Sequence, residues 1–138
     1  MRRDLPALVI DTNVFVAALF KPSSDSARIL SAIRQGSARM LWNDETRRET
    51  RAILEKIPPL SWDAVAGLFL DEERCVAETD PERFTQIPDP DDRKFAGLAH
   101  AAGAILISLD DDLLGRPHKI DLLVLTPSEF LGGQWAIA

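Results

Sequence analysis

Cysteine occurs once in this 138-residue chain and histidine twice. A single cysteine forbids an intrachain disulfide and fits a reducing cytoplasm. Cys75, beside Val76 and Ala77, reads as a small core residue. The two histidines sit apart, His100 on an alanine-rich helix and His118 in a loop, so no Cys/His cluster argues for zinc. No apolar run approaches the roughly 20 residues that span a bilayer. The arginines at the N-terminus are followed by Asp4 and Pro6 instead of a long apolar segment, so no signal peptide is expected. Glycine-rich phosphate loops of the GxGxxG or P-loop kind are also lacking, as are internal repeats, low-complexity segments and linkers.

What remains is an ordinary domain composition, 46% hydrophobic and 28% charged, enough for one core. One domain is expected over 1–138, with a loose tail from about residue 132 unless Trp135 docks. The net charge of −6 is uneven. Residues 1–69 carry 10 Lys and Arg against 8 Asp and Glu, and residues 70–138 carry 6 against 14. Acidic chains do not attract nucleic acid through bulk charge, so any such binding needs acids gathered in a metal site and arginines in a local patch.

The organising stretch is Ala7–Phe15, ALVIDTNVF. Ala7–Ile10 reads as a strand buried on both faces; it stops at Asp11, and a second apolar run, Val14–Phe20, follows. A helix is expected from Ser23–Ser26 to Gly36, a strand over Ala38–Trp42, and a helix capped by Asn43 or Asp44 reaching about Lys56. A further helix follows Ser61, with Val65, Leu68 and Phe69 on its buried side. Cys75–Ala77 suggests a short strand, and residues 79–91, with three prolines, a loop. A helix from Asp91 or Asp92 to Ala102, strands over Ala104–Leu109 and Leu122–Leu125, and a short helix opening at Pro127 complete the chain. Strands alternating with helices predict an α/β fold, three layers around a mostly parallel sheet.

An acid at the carboxyl end of a buried strand stands where open α/β sheets bind ligands. Asp110 mirrors Asp11, since both directly follow a buried strand, and the two face each other if those strands are neighbours. Asp92 lies at a helix start and is also read as an N-cap. Glu49 is read either as reaching the same edge or as a solvated acid beside Arg48 and Arg51. Asp89, Asp91 and Asp111 are assigned to the periphery, with Asp112 the best of the second rank. Carboxylates 4 Å apart repel by roughly 1–4 kcal/mol per pair, and a fold keeps them together when a divalent cation offsets the repulsion. All-oxygen ligands favour Mg²⁺ or Mn²⁺.

With these acids in order, the chain resembles the PIN-domain family, and the VapC-type toxins with their stand-alone bacterial relatives in particular. The matching segments are VIDTNVF with Asp11 and Asn13, NDETRRETRAIL with Glu49, DPDDRKFAGLA with Asp92, ILISLDDDLL with Ser108, Asp110 and Asp112, and the closing VLTPSEFL. The segment around Glu49 is more polar than in relatives, which leaves Glu45 as a competing assignment, and Ser108 stands where many relatives have Thr. The resemblance implies a Mg²⁺- or Mn²⁺-dependent ribonuclease in which Asp11, Glu49, Asp92 and Asp110 hold one or two metals, supported by Asn13, Ser108 and Asp112. Such a cation activates water and stabilises charge on the scissile phosphate, leaving a 5′-phosphate and a 3′-hydroxyl. Arg47, Arg48, Arg51, Arg93 and Lys94 are candidate RNA contacts. The resemblance also implies an antitoxin partner that inserts an Arg among the carboxylates, and a homodimer to which Trp135 or the Val65–Phe69 helix contributes.

Three other readings compete. A receiver domain needs a Lys before the last Pro, where this chain has Leu125-Thr126-Pro127. A haloacid-dehalogenase-type phosphatase needs a second Asp at the place of Asn13. A PIN-like module that binds RNA or protein with little turnover keeps the same acids.

Overall fold

The computed structural model describes residues 4–110 and 122–133. Four strands, β1 (Ala7–Ile10), β2 (Arg39–Met40), β3 (Ile105–Ile107) and β4 (Val124–Leu125), form a parallel sheet in the order β2-β1-β3-β4. The helices are α1 (Thr12–Phe20), α2 (Asp25–Arg34), α3 (Asp44–Glu55), α4 (Asp63–Ala66), α5 (Pro90–Ala102) and α6 (Pro127–Gly132). The expected α/β architecture is therefore present. Its layers follow from the strand period of two. Leu8, Ile10, Ile107 and Leu125 join one core with α1, α2, α3 and α6, whereas Val9, Leu106 and Val124 join another with α5.

The caps account for most helix boundaries. Ser24 and Asn43 cap α2 and α3 by accepting from the backbone N–H groups of Ala27 and Thr46. Thr126 and Glu129 form a reciprocal capping box on α6, with Pro127 in its first turn. Gly103, at φ 65°, closes α5 in the left-handed conformation that favours glycine. The small buried face of α5, Ala96, Gly97 and Ala99 among larger Phe95 and Leu98, packs on the sheet as its composition predicts.

Several boundaries differ from expectation. Asp89, not Asp91 or Asp92, is the N-cap of α5, because Pro90 occupies the first turn. Within the proline-rich segment, Pro81–Phe84 forms a 3-10 turn, and Phe84 and Ile87 are buried. Residues 75–77 form no strand; Trp42 and Arg74 make only an isolated parallel bridge. The helix after Ser61 is a single turn. Val65 and Leu68 are buried and Phe69 stacks among Phe15, Trp42 and Trp62 with ring centres 5.0–5.8 Å apart. That face belongs to the core and is not free for the dimer contact expected of it. Trp135 and His118 lie outside the described residues. Among the described residues no helix is long and apolar enough to cross a membrane.

Leu106, fully buried on β3, tests the second core. Leu106→Ala is expected to cost about 2–5 kcal/mol through lost burial and a residual cavity, measured as a lower urea midpoint at unchanged slope.

Candidate active site

The strand register builds the site. Ile10 pairs with Ile107, and the Asp11 backbone N–H donates to the Ile107 carbonyl at 3.0 Å. The residue that follows β3, Ser108, therefore stands beside Asp11, and its Oγ donates to Asp11 Oδ2 at 2.9 Å. The same Oγ accepts from the Asp110 backbone N–H at 3.0 Å. Asp110 does not directly follow the strand, as its sequence suggests: β3 ends at Ile107, and Asp110, three residues beyond, meets Asp11 through Ser108. The sheet order places β1 between strands reached in opposite directions, so the site lies at a topological switch point.

Helix α5 delivers Asp92. Its 13 residues are roughly 20 Å long at 1.5 Å per residue. From Gly103, just before β3, this length returns the helix N-terminus to the carboxyl edge of the sheet. With Asp89 as N-cap, Asp92 lies in the first turn and is 7% exposed. Its carboxyl hydrogen-bonds that of Asp110, yet its Oδ2 is buried without a hydrogen-bond partner. An orphaned buried polar atom costs about 1–3 kcal/mol. The positive end of the α5 dipole offsets part of the charge.

Helix α3 supplies the fourth acid. Glu49 and Ile53, one turn apart, line an open cleft of about 140 Å³ together with Asp11, Thr12, Asn13, Asp89, Asp91, Asp92 and Phe95. Thr12 and Thr50 share a buried hydroxyl hydrogen bond of 3.0 Å that ties the start of α1 to α3 beside Glu49. Glu45 lines a different groove, with Asp44, Arg74 and Cys75. Glu49 is paired with neither Arg48 nor Arg51: Lys94 Nζ lies 3.4 Å from its Oε2. Lys94 also lies 3.3 Å from Asp91.

Electrostatics mark the two buried acids of the cleft. Burial pushes the Asp11 carboxyl up to about 6, against the pull of hydrogen bonds from Ser108 and the Thr12 backbone; Asp110 and Asp89 push it further up. Burial likewise raises Asp92 to about 8, reinforced by its hydrogen bond to Asp110 and by the charges of Asp11, Asp110 and Asp89.

The structure brings Asp11, Asn13, Glu49, Asp92, Ser108 and Asp110 to one edge. Among the described residues no three His, Cys, Asp or Glu side chains converge closely enough to hold a metal ion as they stand. Asp112 and Asp111 lie outside the described residues. Asp89 and Asp91, assigned to the periphery from sequence, line the cleft; the signal was Pro90, which fixes the helix register.

Most of the basic candidates lie elsewhere. Arg47 stacks over Trp42 and Trp62, and Arg51 over Trp62, at 5.3–5.9 Å. Arg93 donates to the carbonyls of Ile87 and Thr85, and so ties down the loop that precedes α5. Arg48 is exposed on α3, one residue from Glu49.

A family model described as PIN domain matches residues 7–112, a span that contains all four acids. The chain belongs to the PIN-domain family. An archaeal relative, the uncharacterised protein MJ1680 of Methanocaldococcus jannaschii, is 27% identical over 144 residues, which cover 90% of this chain and 88% of that one. The fold is similar to that of FitAcB from Neisseria gonorrhoeae, with a TM-score of 0.59, 14% identity, and coverage of 88% of this chain and 99% of that one. It is also similar to FitAB bound to an IR36 DNA fragment, with a TM-score of 0.58, 16% identity, and coverage of 88% and 96%. At such identities the likeness is one of fold.

The raised carboxyls have a consequence for stability. Both stand above the ordinary 3.8, so between about pH 4 and 8 the folded chain binds more protons than the unfolded one. Stability therefore falls as pH rises through this window. In EDTA, the melting temperature is expected to drop between pH 5 and 8. Asp92→Asn should flatten that drop and stabilise the protein at pH 8 by on the order of 2 kcal/mol; thermal melts across the range check both.

Proposed function

We propose that the chain is a cytoplasmic Mg²⁺- or Mn²⁺-dependent endoribonuclease that hydrolyses RNA phosphodiester bonds, and that it is the toxin of a toxin–antitoxin pair. The observation that carries this reading is the buried, partnerless Oδ2 of Asp92 beside Asp11 and Asp110. A carboxylate oxygen kept out of water without a donor is a ligand in waiting. The donor set is all oxygen, which suits a hard cation. Membership of the PIN-domain family supports the nuclease class.

Asp11, Glu49, Asp92 and Asp110 would hold the ion, with Asn13 and Asp89 of the cleft lining around them. When bound, the ion supplies water activation and neutralisation of phosphate charge. The chain's own groups do the positioning. Ser108 and the Ile107 carbonyl fix Asp11 from two sides, Thr50 fixes α3 against Thr12, and the Asp110 backbone is held by Ser108. Burial of Asp11 and Asp92 keeps the carboxylates in a low dielectric, where their interaction with a cation is stronger than in water.

The likeness of fold to FitAcB and FitAB and the VapC-like segments support the toxin role. A cognate antitoxin would block the cleft with an Arg among the carboxylates. A homodimer is part of the same reading. The competing reading, a PIN-like RNA- or protein-binding module of little turnover, draws on Glu49 being held by Lys94.

Cleavage of a mixed RNA pool by the purified protein decides between them. Cutting is expected with Mg²⁺ or Mn²⁺, none with EDTA, and a loss of at least about 100-fold in Asp11→Asn and in Asp110→Asn, equivalent to about 2.7 kcal/mol of transition-state stabilisation. No cutting, with no metal bound by calorimetry, would favour the binding module. Cutting that survives in Asp11→Asn would remove the acids from the mechanism.

A further inference from the structure

Lys94 is the ammonium placed on two of the acids that line the cleft. Its Nζ is 3.4 Å from Glu49 Oε2 across the α3–α5 interface and 3.3 Å from Asp91 Oδ1 one turn back on its own helix. Charge-assisted N–H···O bonds usually measure about 2.7–2.9 Å, so Lys94 is shared between two carboxylates and gripped by neither. The contrast within this chain is Arg74, which holds Asp44 bidentately at 2.7 and 3.0 Å. An ammonium is a compact, strongly hydrated charge on a flexible stem, easily withdrawn from a carboxylate. The Lys94 side chain is 29% exposed, so solvent is available to receive it.

We propose that Lys94 is a displaceable internal counter-ion: it holds Glu49 while the cleft is without metal, and a divalent cation must take Glu49 from it. Lys94 thereby sets the cation concentration at which the cleft loads. This inference rests on the metal-dependent reading above. It follows from competition for the same oxygens. Whatever affinity Lys94 has for Glu49 is subtracted from that of the cation, and by linkage each weakens the other. It also gives the structure a reason to retain Lys94 between α3 and α5, where it offsets the repulsion between Glu49 and Asp91 before any metal arrives.

The test is calorimetric titration of Mn²⁺ into the full-length protein, with Lys94→Gln, Lys94→Arg, Asp11→Asn and Lys94→Gln/Asp11→Asn alongside, all first melted by circular dichroism to verify folding. Lys94→Gln is expected to tighten Mn²⁺ binding roughly 5-fold or more. Lys94→Arg, which keeps the charge but can grip Glu49 with a planar fork, is expected to weaken it. Equal affinity in wild type and Lys94→Gln would overturn the inference and leave the metal reading standing. So would a tighter Lys94→Gln with an unchanged Lys94→Arg, since a distant field effect predicts that pattern. Binding in Lys94→Gln but not in wild type, lost again when Asp11→Asn is added, would support it in its strongest form. No binding in wild type or in Lys94→Gln would overturn the metal reading, and this inference with it.

Discussion

The hydrogen bond from Ser108 Oγ to Asp11 Oδ2 is the constraint on which the cleft depends. It exists only because β1 and β3 are parallel neighbours in a register that sets Ile10 against Ile107. One residue further along each strand, a carboxylate meets a hydroxyl. That hydroxyl belongs to a fully buried serine and also accepts from the Asp110 backbone N–H, so a single oxygen orients two acids. Slipping either strand by one residue would turn Asp11 or Ser108 to the opposite face of the sheet, and the two cores would lose their alternation in the same step. The packing of the sheet and the geometry of the acids are thus one requirement.

That requirement leaves a charge problem at the sheet edge, which the fold meets in three ways. The α5 N-terminus points its dipole at Asp89, Asp91 and Asp92. Burial moves Asp11 and Asp92 toward their neutral forms, so part of the repulsion is removed by protons. Lys94 neutralises Glu49 and Asp91 at the rim. Each device is reversible, because protons leave as pH rises and an ammonium can swing into solvent. The bidentate ion pairs of the same chain are built otherwise. Arg39 grips the buried Glu73 at 2.8 and 3.3 Å, and neither residue lines the cleft.

Much of this was legible in the sequence where a local rule applied. The unbroken apolar run before Asp11 marked β1, and Ala104–Ile107 marked β3, although the strand ends two residues short of the expected Leu109 and Ser108, not Asp110, directly follows it. Asn43, Ser24 and Pro127 set helix starts through chemistry confined to a few residues. The start of α5 was misread because Asp91 and Asp92 were read as the caps, although Pro90 already decided the register in favour of Asp89. The arginines of α3 were also decidable in principle. Arg47 and Arg51 lie two residues either side of Glu49, which at 100° per residue points them away from it; they stack on Trp42 and Trp62 instead. What no local rule carries is contact across the chain. Thr12 with Thr50, 38 residues apart, and Lys94 with Glu49, 45 apart, exist only once α1, α3 and α5 are packed.

This division bears on how an acidic chain could engage a polyanion. Among the described residues, most of the arginines close to the acids in sequence are committed to structure: Arg93 to the loop before α5, Arg47 and Arg51 to tryptophan faces. On the proposed ribonuclease reading, RNA approaching the cleft would meet its carboxylates, with exposed Arg48 beside Glu49, and the net charge of −6 would repel it. Affinity for the phosphate backbone would, on the proposed metal-dependent reading, arise largely at the acids themselves, once a cation has offset their charge. On that reading substrate binding and metal loading would be coupled, and Lys94, through its hold on Glu49, would bear on both.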